Sequence, residues 1–198
     1  MSEISPTLVK ELREKTNAGM MDCKKALVET GGDIVKAEEF LRKKGIAKAD
    51  SKSSRVAKEG VVASYIHLQG KVGVLIEVNC ETDFVAKNEI FRDFVKDVTL
   101  HIAAANPKFV SRDQVDPTLI EKEKEIAAAQ IKDKPAAVVD KIVQGKIDKF
   151  VSSICLLEQG FIKDPEQTIE QLVKSMISKL GENIQIRRFT RYAIGEEI

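Results

Sequence analysis

Few residues in this 198-residue chain have types and spacing that invite chemistry. Cys80 opens Cys80-Glu81-Thr82-Asp83, where a thiol at a strand end ahead of a helix would act as a nucleophile if its pKa were lowered. Yet Cys80 continues the alternation of Val72, Val74, Ile76 and Val78, and a thiol buried among such neighbours is inert, so a structural cysteine is expected. His67 and His101 are too few and too far apart to suggest a metal or triad cluster, and each reads as an ordinary strand-face or helix-boundary histidine. Cysteines at 23, 80 and 155 are odd in number and widely spaced, unlike a disulfide framework or a CxxC site, and suit a reducing cytosol. The chain contains neither GxxxxGK followed by Ser or Thr nor GxGxxG, so it should not cradle nucleotide phosphates through a glycine-rich loop. No catalytic residue, metal site or cofactor is expected.

Two stretches remain. Between Arg42 and Lys58, seven basic residues (Arg42, Lys43, Lys44, Lys48, Lys52, Arg55 and Lys58) face one acid, Asp50. That pattern makes either an anion-binding patch or a solvated linker, and no aromatic residues interleave to stack bases. Glu81-Thr82-Asp83-Phe84-Val85-Ala86-Lys87-Asn88 reads as a strand-to-helix turn. In one reading Thr82 or Asp83 caps a helical turn and Phe84 packs inward; in the other an exposed Asp83-Phe84 pair projects a carboxylate and an apolar wedge into a partner.

The elements that must position this corner follow from periodicity. Ser5 before Pro6 caps a first helix with Leu8, Val9 and Leu12 on one face, ending near Asn17-Ala18-Gly19. Met20, Cys23, Ala26 and Leu27 make a second helix that stops at Gly31-Gly32, and Asp33 caps a third carrying Ala37, Phe40 and Leu41. Lys48 to Arg55 lacks an apolar face and reads as a linker. Residues 61–68 and the alternating Val72, Val74, Ile76 and Val78, with Lys71, Gly73, Leu75, Glu77 and Asn79 on the other face, then form a β-hairpin with a tight turn at Gln69-Gly70. Asn88 caps an amphipathic helix bearing Phe91, Phe94, Val95, Val98 and Ile102. Two more helices start at Asp116-Pro117 and Lys134-Pro135, the second weakened at Gly145, and a last one carries Ile169, Leu172, Val173, Met176, Ile177 and Leu180 up to Gly181. Residues 184–192 return to alternation with a slip between Ile186 and Phe189 that suggests a bulge. The fold class expected is α+β: a three-helix module over residues 1–50, a linker over 51–57, and a core over 58–198 with a small antiparallel sheet of about three strands faced by helices.

Composition sets limits on function. Hydrophobic residues at 43% and charged residues at 32% make a folding sequence, and a net charge of +1 supplies no global attraction to nucleic acid. The polar start Met1-Ser2-Glu3 has no export signal, and no apolar run reaches the ~18 residues a spanning helix needs, so neither export nor a membrane is expected.

Thr82-Asp83-Phe84-Val85-Ala86-Lys87-Asn88, preceded by Glu77-Val78-Asn79-Cys80-Glu81, resembles the hallmark segment of the elongation factor Ts family. Leu12-Arg13-Glu14-Lys15-Thr16-Asn17-Ala18-Gly19-Met20-Met21-Asp22-Cys23-Lys24-Lys25-Ala26-Leu27 is similar to the family's N-terminal signature, with Asn17 where Gly is also common, and Gly181-Glu182-Asn183-Ile184 and Arg187-Arg188-Phe189 extend the likeness. The resemblance implies a ubiquitin-associated-like N-terminal module and a cytoplasmic guanine-nucleotide exchange factor. Thr82, Asp83, Phe84 and Val85 would then enter elongation factor Tu near its Mg2+ and promote GDP release, with Arg13, Met20 and Met21 contacting the partner's nucleotide-binding domain. Lengths like this one resemble the family's short forms, which implies a symmetric homodimer. The rival readings are an adaptor binding peptides through the N-terminal module and an RNA-binding module using the basic stretch.

Overall fold

A computed structural model describes residues 4–16, 18–131 and 135–196. Along these residues run α1 (Pro6–Thr16), α2 (Met20–Glu29), α3 (Ile34–Asp50), β1 (Glu59–His67), β2 (Val72–Cys80), α4 (Asp83–Lys87), α5 (Glu89–Ala105), α6 (Pro117–Ala129), α7 (Ala136–Ile154), β3 (Gly160–Phe161), β4 (Asp164–Thr168), α8 (Ile169–Leu180) and β5 (Gln185–Ala193). The class is α+β, as the switch from helical to alternating periodicity predicts. Asn17 and Lys134, expected at helix boundaries, lie outside the described residues.

One compact unit draws on Met1–Gly60, Asn79–Phe91 and Val173–Gln185. Its N-terminal helices start where the sequence caps them: Ser5 Oγ accepts the Leu8 amide at 3.4 Å, and Asp33 Oδ1 accepts that of Lys36 at 3.0 Å. α2 ends as Gly31 and Gly32 turn to φ +64° and +88°, letting the Gly32 amide reach Leu27 O at 2.8 Å. Val9, Leu12, Cys23, Ala26, Leu27 and Ala37 form the buried cluster, with Phe40 and Leu41 packed against it. Met20 departs from the expected apolar face, because the first turn of α2 leaves it exposed while Cys23 and Ala26 turn inward.

The stretch expected to be a linker is structured in two ways. α3 continues through Asp50, and Ala49 is buried, which supplies the apolar contact that a free linker lacks. Beyond it the chain is tied down: Lys52 Nζ donates to Gly181 O, and Asn183 Nδ2 donates to Ser53 O at 3.2 Å and Arg55 O at 2.7 Å. Lys52, Ser53 and Arg55 are thus tied to Gly181 and Asn183, more than a hundred positions away.

The other unit comprises Val61–Val78, Arg92–Leu172 and Ile186–Ile198. Its sheet has the order β1-β2-β5 and is antiparallel. Ile66 touches the space beside Gly73, and Arg188 meets Glu77 at 2.7 Å while the Ile194 amide reaches Lys71 O at 3.0 Å. Val72, Val74, Ile76 and Val78 point inward, as their alternation predicts. Arg191 crosses the same face to donate to Ala103 O of α5, whose Phe94, Val95, Val98 and Ile102 are buried. The slip in β5 is present: Ile186 is buried, yet the inward side resumes at Phe189 and Arg191, one residue out of step.

One local expectation differs from the structure, and the helix expected to be weak at Gly145 is continuous. The hairpin connection is a four-residue loop, residues 68–71, not a two-residue turn, with Leu68 and Gln69 at φ +50° and +55° beside Gly70 at +93°. α7 runs unbroken through Gly145, because Ile147 and Val151 on either side of the next turn bury against Val115 and Cys155 and hold the helix through its weak point.

Candidate functional site

β2 ends at Cys80, and the chain turns immediately into the five-residue helix α4. Thr82 makes that turn. Its backbone is extended at φ −128°, ψ 156°, its Oγ1 accepts the Val85 amide at 3.4 Å, and its carbonyl accepts the Ala86 amide at 3.2 Å. Val85 and Ala86 are buried and anchor the turn, while Asn88 Oδ1 accepts the Ile90 amide at 2.9 Å and starts α5.

Of the two readings open for Phe84, the exposed one holds: 82% of its surface is open to solvent. Asp83 beside it is exposed and takes a hydrogen bond from Lys87 at 2.7 Å, which holds its carboxyl below the usual range. The corner therefore offers an apolar ring and an ionised carboxylate on a short capped turn. Val85 is part of the anchor instead of the exposed surface.

The turn is braced by Glu182 and Asn183, for which periodicity predicts no role. Glu182 Oε2 accepts the amides of Glu81 and Thr82, each at 3.0 Å, and Glu182 Oε1 accepts the Thr82 hydroxyl at 2.6 Å. Glu81 returns the contact, its Oε1 accepting the Asn183 amide at 2.6 Å, with Arg55 Nη1 at 3.6 Å from the same oxygen. Gly181-Glu182-Asn183 was visible only as a motif: a carboxylate just past a helix-ending glycine carries no periodicity that reveals its partners.

Cys80 is not an activated thiol. Its Sγ lies 3.1 Å from Thr82 O, and burial, reinforced by the negative charge of Glu182, pushes its pKa up to about 11. His101 is fully buried, its Nε2 2.9 Å from Gln159 Oε1 and its Nδ1 accepting the Ile162 amide at 3.3 Å. His67 stacks beside Tyr65, whose hydroxyl meets its Nδ1 at 2.9 Å. Among the described residues no cluster of His, Cys, Asp and Glu is arranged to hold a metal, and no helix is long and apolar enough to cross a membrane.

Arg13 on α1 and Met20 and Met21 on α2 are exposed, in the same compact unit as the corner. Three of the seven basic residues have partners within that unit: Lys44 pairs with Asp22 at 2.9 Å, Arg55 with Glu81, and Lys52 with Gly181 O. Those internal partners weaken the case for an RNA-binding surface there.

Comparison with known proteins agrees with the motif. A family model described as elongation factor TS matches residues 46–196. The chain is 58% identical over 198 residues to elongation factor Ts of Desulforamulus reducens, covering 99% of this chain and 91% of that protein. It is 60% identical over 198 residues to that of Alkaliphilus oremlandii, with the same coverage of 99% and 91%. Against that of Geotalea daltonii the identity is 57% over 195 residues, 98% of this chain and 90% of that protein. A model match over well over half the chain, and relatives this similar along almost their whole length, lead to one conclusion: the chain belongs to the elongation factor Ts family of translation elongation factors.

Proposed function

We propose that the protein is a guanine-nucleotide exchange factor that binds GDP-loaded elongation factor Tu and promotes GDP release, with no reaction of its own. The observation that carries this reading is the exposed Phe84 beside an ionised Asp83 on a turn fixed by Thr82. A bound Mg2+ is the largest local charge in a nucleotide-phosphate site, so a carboxylate and a wedge that disturb it remove what holds the GDP phosphates. Phe84 needs no chemistry for this; it needs to arrive in a fixed place. Thr82 and Val85 serve by holding it there.

Coupling of this kind is reciprocal: whatever factor the protein takes from GDP affinity, GDP takes from the protein's affinity, so an incoming nucleotide releases it. Arg13, Met20 and Met21 are proposed as a second contact, on a partner-binding module formed by residues 1–50, with the exposed methionines supplying adaptable apolar area. The reading places the protein in the cytoplasm, where translation elongation runs, without direct contact with nucleic acid or membrane.

The deciding experiment follows labelled GDP leaving elongation factor Tu. Catalytic amounts of the protein should accelerate release, and the double substitution Asp83→Ala, Phe84→Ala should abolish most of that acceleration. Unchanged acceleration by the double variant would sink the mechanism.

We also propose a homodimer. On the sheet's outer face Val62 and Ile66 of β1, Leu75 of β2 and Tyr192 of β5 are all exposed, an apolar surface larger than scattered single residues. A symmetric pairing of two such faces would cover it.

A further inference from the structure

We propose that Glu182 is the positioning residue of the exchange corner: its carboxylate sets the direction in which Thr82 launches Asp83 and Phe84. This inference rests on the exchange reading above.

Three donors converge on one carboxylate. The Glu81 and Thr82 amides lie just beyond the last residue of β2, where strand pairing has ended and the helix α4 has not begun. Consecutive backbone amides at such a junction have no intrinsic partner, and a carboxylate that accepts both fixes the two peptide planes at once. The third donor is the Thr82 hydroxyl, and here direction matters. Thr82 Oγ1 accepts from the Val85 amide, so its single proton must be donated elsewhere for the cap to be well oriented. Glu182 Oε1 at 2.6 Å takes that proton. The cap on α4, the helix whose second residue is Phe84, is therefore aligned from outside by Glu182.

Glu182 is itself pre-set. Gly181 at φ +81° turns the chain out of α8, a conformation that side-chain-bearing residues rarely adopt, and Lys52 holds its carbonyl. On the other side the Asn183 amide bonds to Glu81, and the Asn183 side chain bonds to Ser53 O and Arg55 O. The carboxylate is thus clamped between two fixed neighbours, which is the arrangement that keeps a contact residue within a fraction of an ångström of its productive place.

The substitution pair Glu182→Ala and Glu182→Gln separates positioning from docking. Alanine leaves three donors without their acceptor. Glutamine keeps the acceptor for both amides through its one oxygen, but its NH2 cannot take the Thr82 hydroxyl proton, so the brace survives in part. With GDP release measured against protein concentration, Glu182→Ala should lower the saturating rate by about tenfold or more and move the half-saturating concentration by less than about twofold, because Arg13, Met20 and Met21 lie on other helices. Glu182→Gln should recover to within about threefold of the parent rate, since most of the geometry survives. If Glu182→Ala does not fold, as judged by its melting curve, Thr82→Val carries the test, and a saturating rate equal to that of the parent overturns the proposal. A Glu182→Ala protein with the parent's rate, equal losses in rate and half-saturation, or a Glu182→Gln protein as slow as the alanine variant would each overturn it too. Failure of the parent protein to release GDP would instead remove the exchange reading itself.

Discussion

Lys87 Nζ lies 2.7 Å from Asp83 Oδ2, one turn apart on the short helix that carries Phe84. Both side chains are open to water, at 71% and 51% of their surface, so the pair is screened and adds little to the fold. Lys87→Ala should therefore leave the melting temperature unmoved at low and at high salt; on the exchange reading proposed above, exchange should stay at or above the parent level, because Asp83 would have to part from Lys87 to meet the partner. A drop of several degrees would mean that the pair is structural.

Phe84 and Phe91 make a second contrast, seven residues apart in sequence. Phe91 is fully buried, so Phe91→Ala should cost about 3–5 kcal/mol of stability, whereas Phe84→Ala should stay within about 0.5 kcal/mol of the parent. Denaturant unfolding of the two variants checks this, and a large cost at Phe84 would favour an inward-packed ring.

The Cys80 thiol, raised to about 11 by burial and by the charge of Glu182, should resist alkylation at pH 8 in the folded protein. Cys155 is raised in the same direction by burial, and Cys23 is buried too. Mass spectrometry after iodoacetamide treatment should find the native chain unlabelled over a time that labels the urea-unfolded chain fully. Rapid modification of Cys80 in the native state would revive a thiol chemistry.

His101 gives the protein a pH dependence of definite sign. Burial lowers its folded pKa from the ordinary 6.5, against the raising effect of its bond to Gln159. Its neutral ring accepts the Ile162 amide at Nδ1, and protonation would set donor against donor there. The unfolded chain binds the proton more readily, so the contribution is complete above about pH 6.5 and is lost as pH falls toward the folded value. The melting temperature should decline over that window, and His101→Gln should flatten the decline.

If two outer sheet faces cover one another, Leu75→Glu should convert a particle of twice the chain mass into a monomer without unfolding it, since Leu75 is exposed in the single chain. Light scattering at micromolar concentration decides the matter. A parent protein that is already monomeric would exclude the dimer.

What the sequence made legible was whatever repeats over a short span. The stripe Ile169, Val173 and Ile177 with its stop at Gly181, the inward Val72 to Val78, and the Ser5-Pro6 start all needed only neighbours within a few turns, and all appear in the structure. The Thr82 corner was legible as a corner, because a cap is local too. Its exposed Phe84 was not, since exposure depends on what else packs nearby. Glu182 was legible only as part of a motif: a charged residue next to a glycine usually faces solvent, and its three donors stand about a hundred positions upstream. The order within the stretch read as a linker was illegible for the same reason, since Ser53 and Arg55 are bonded by Asn183 from the far end of the chain.

That separation bears on how the protein comes into being on the ribosome. The strand end that presents Thr82 emerges early, but the carboxylate that closes its loop, 100 residues on, is made only after α8 has been synthesised. Contacts of such long range form late, after the entropy of closing a large loop has been met. A nascent chain holding the N-terminal helices and the Asp83-Phe84 pair, but not yet Gly181-Glu182-Asn183, would display the wedge without its brace. On the exchange reading proposed above, competence for exchange would then arrive as one of the last events of folding.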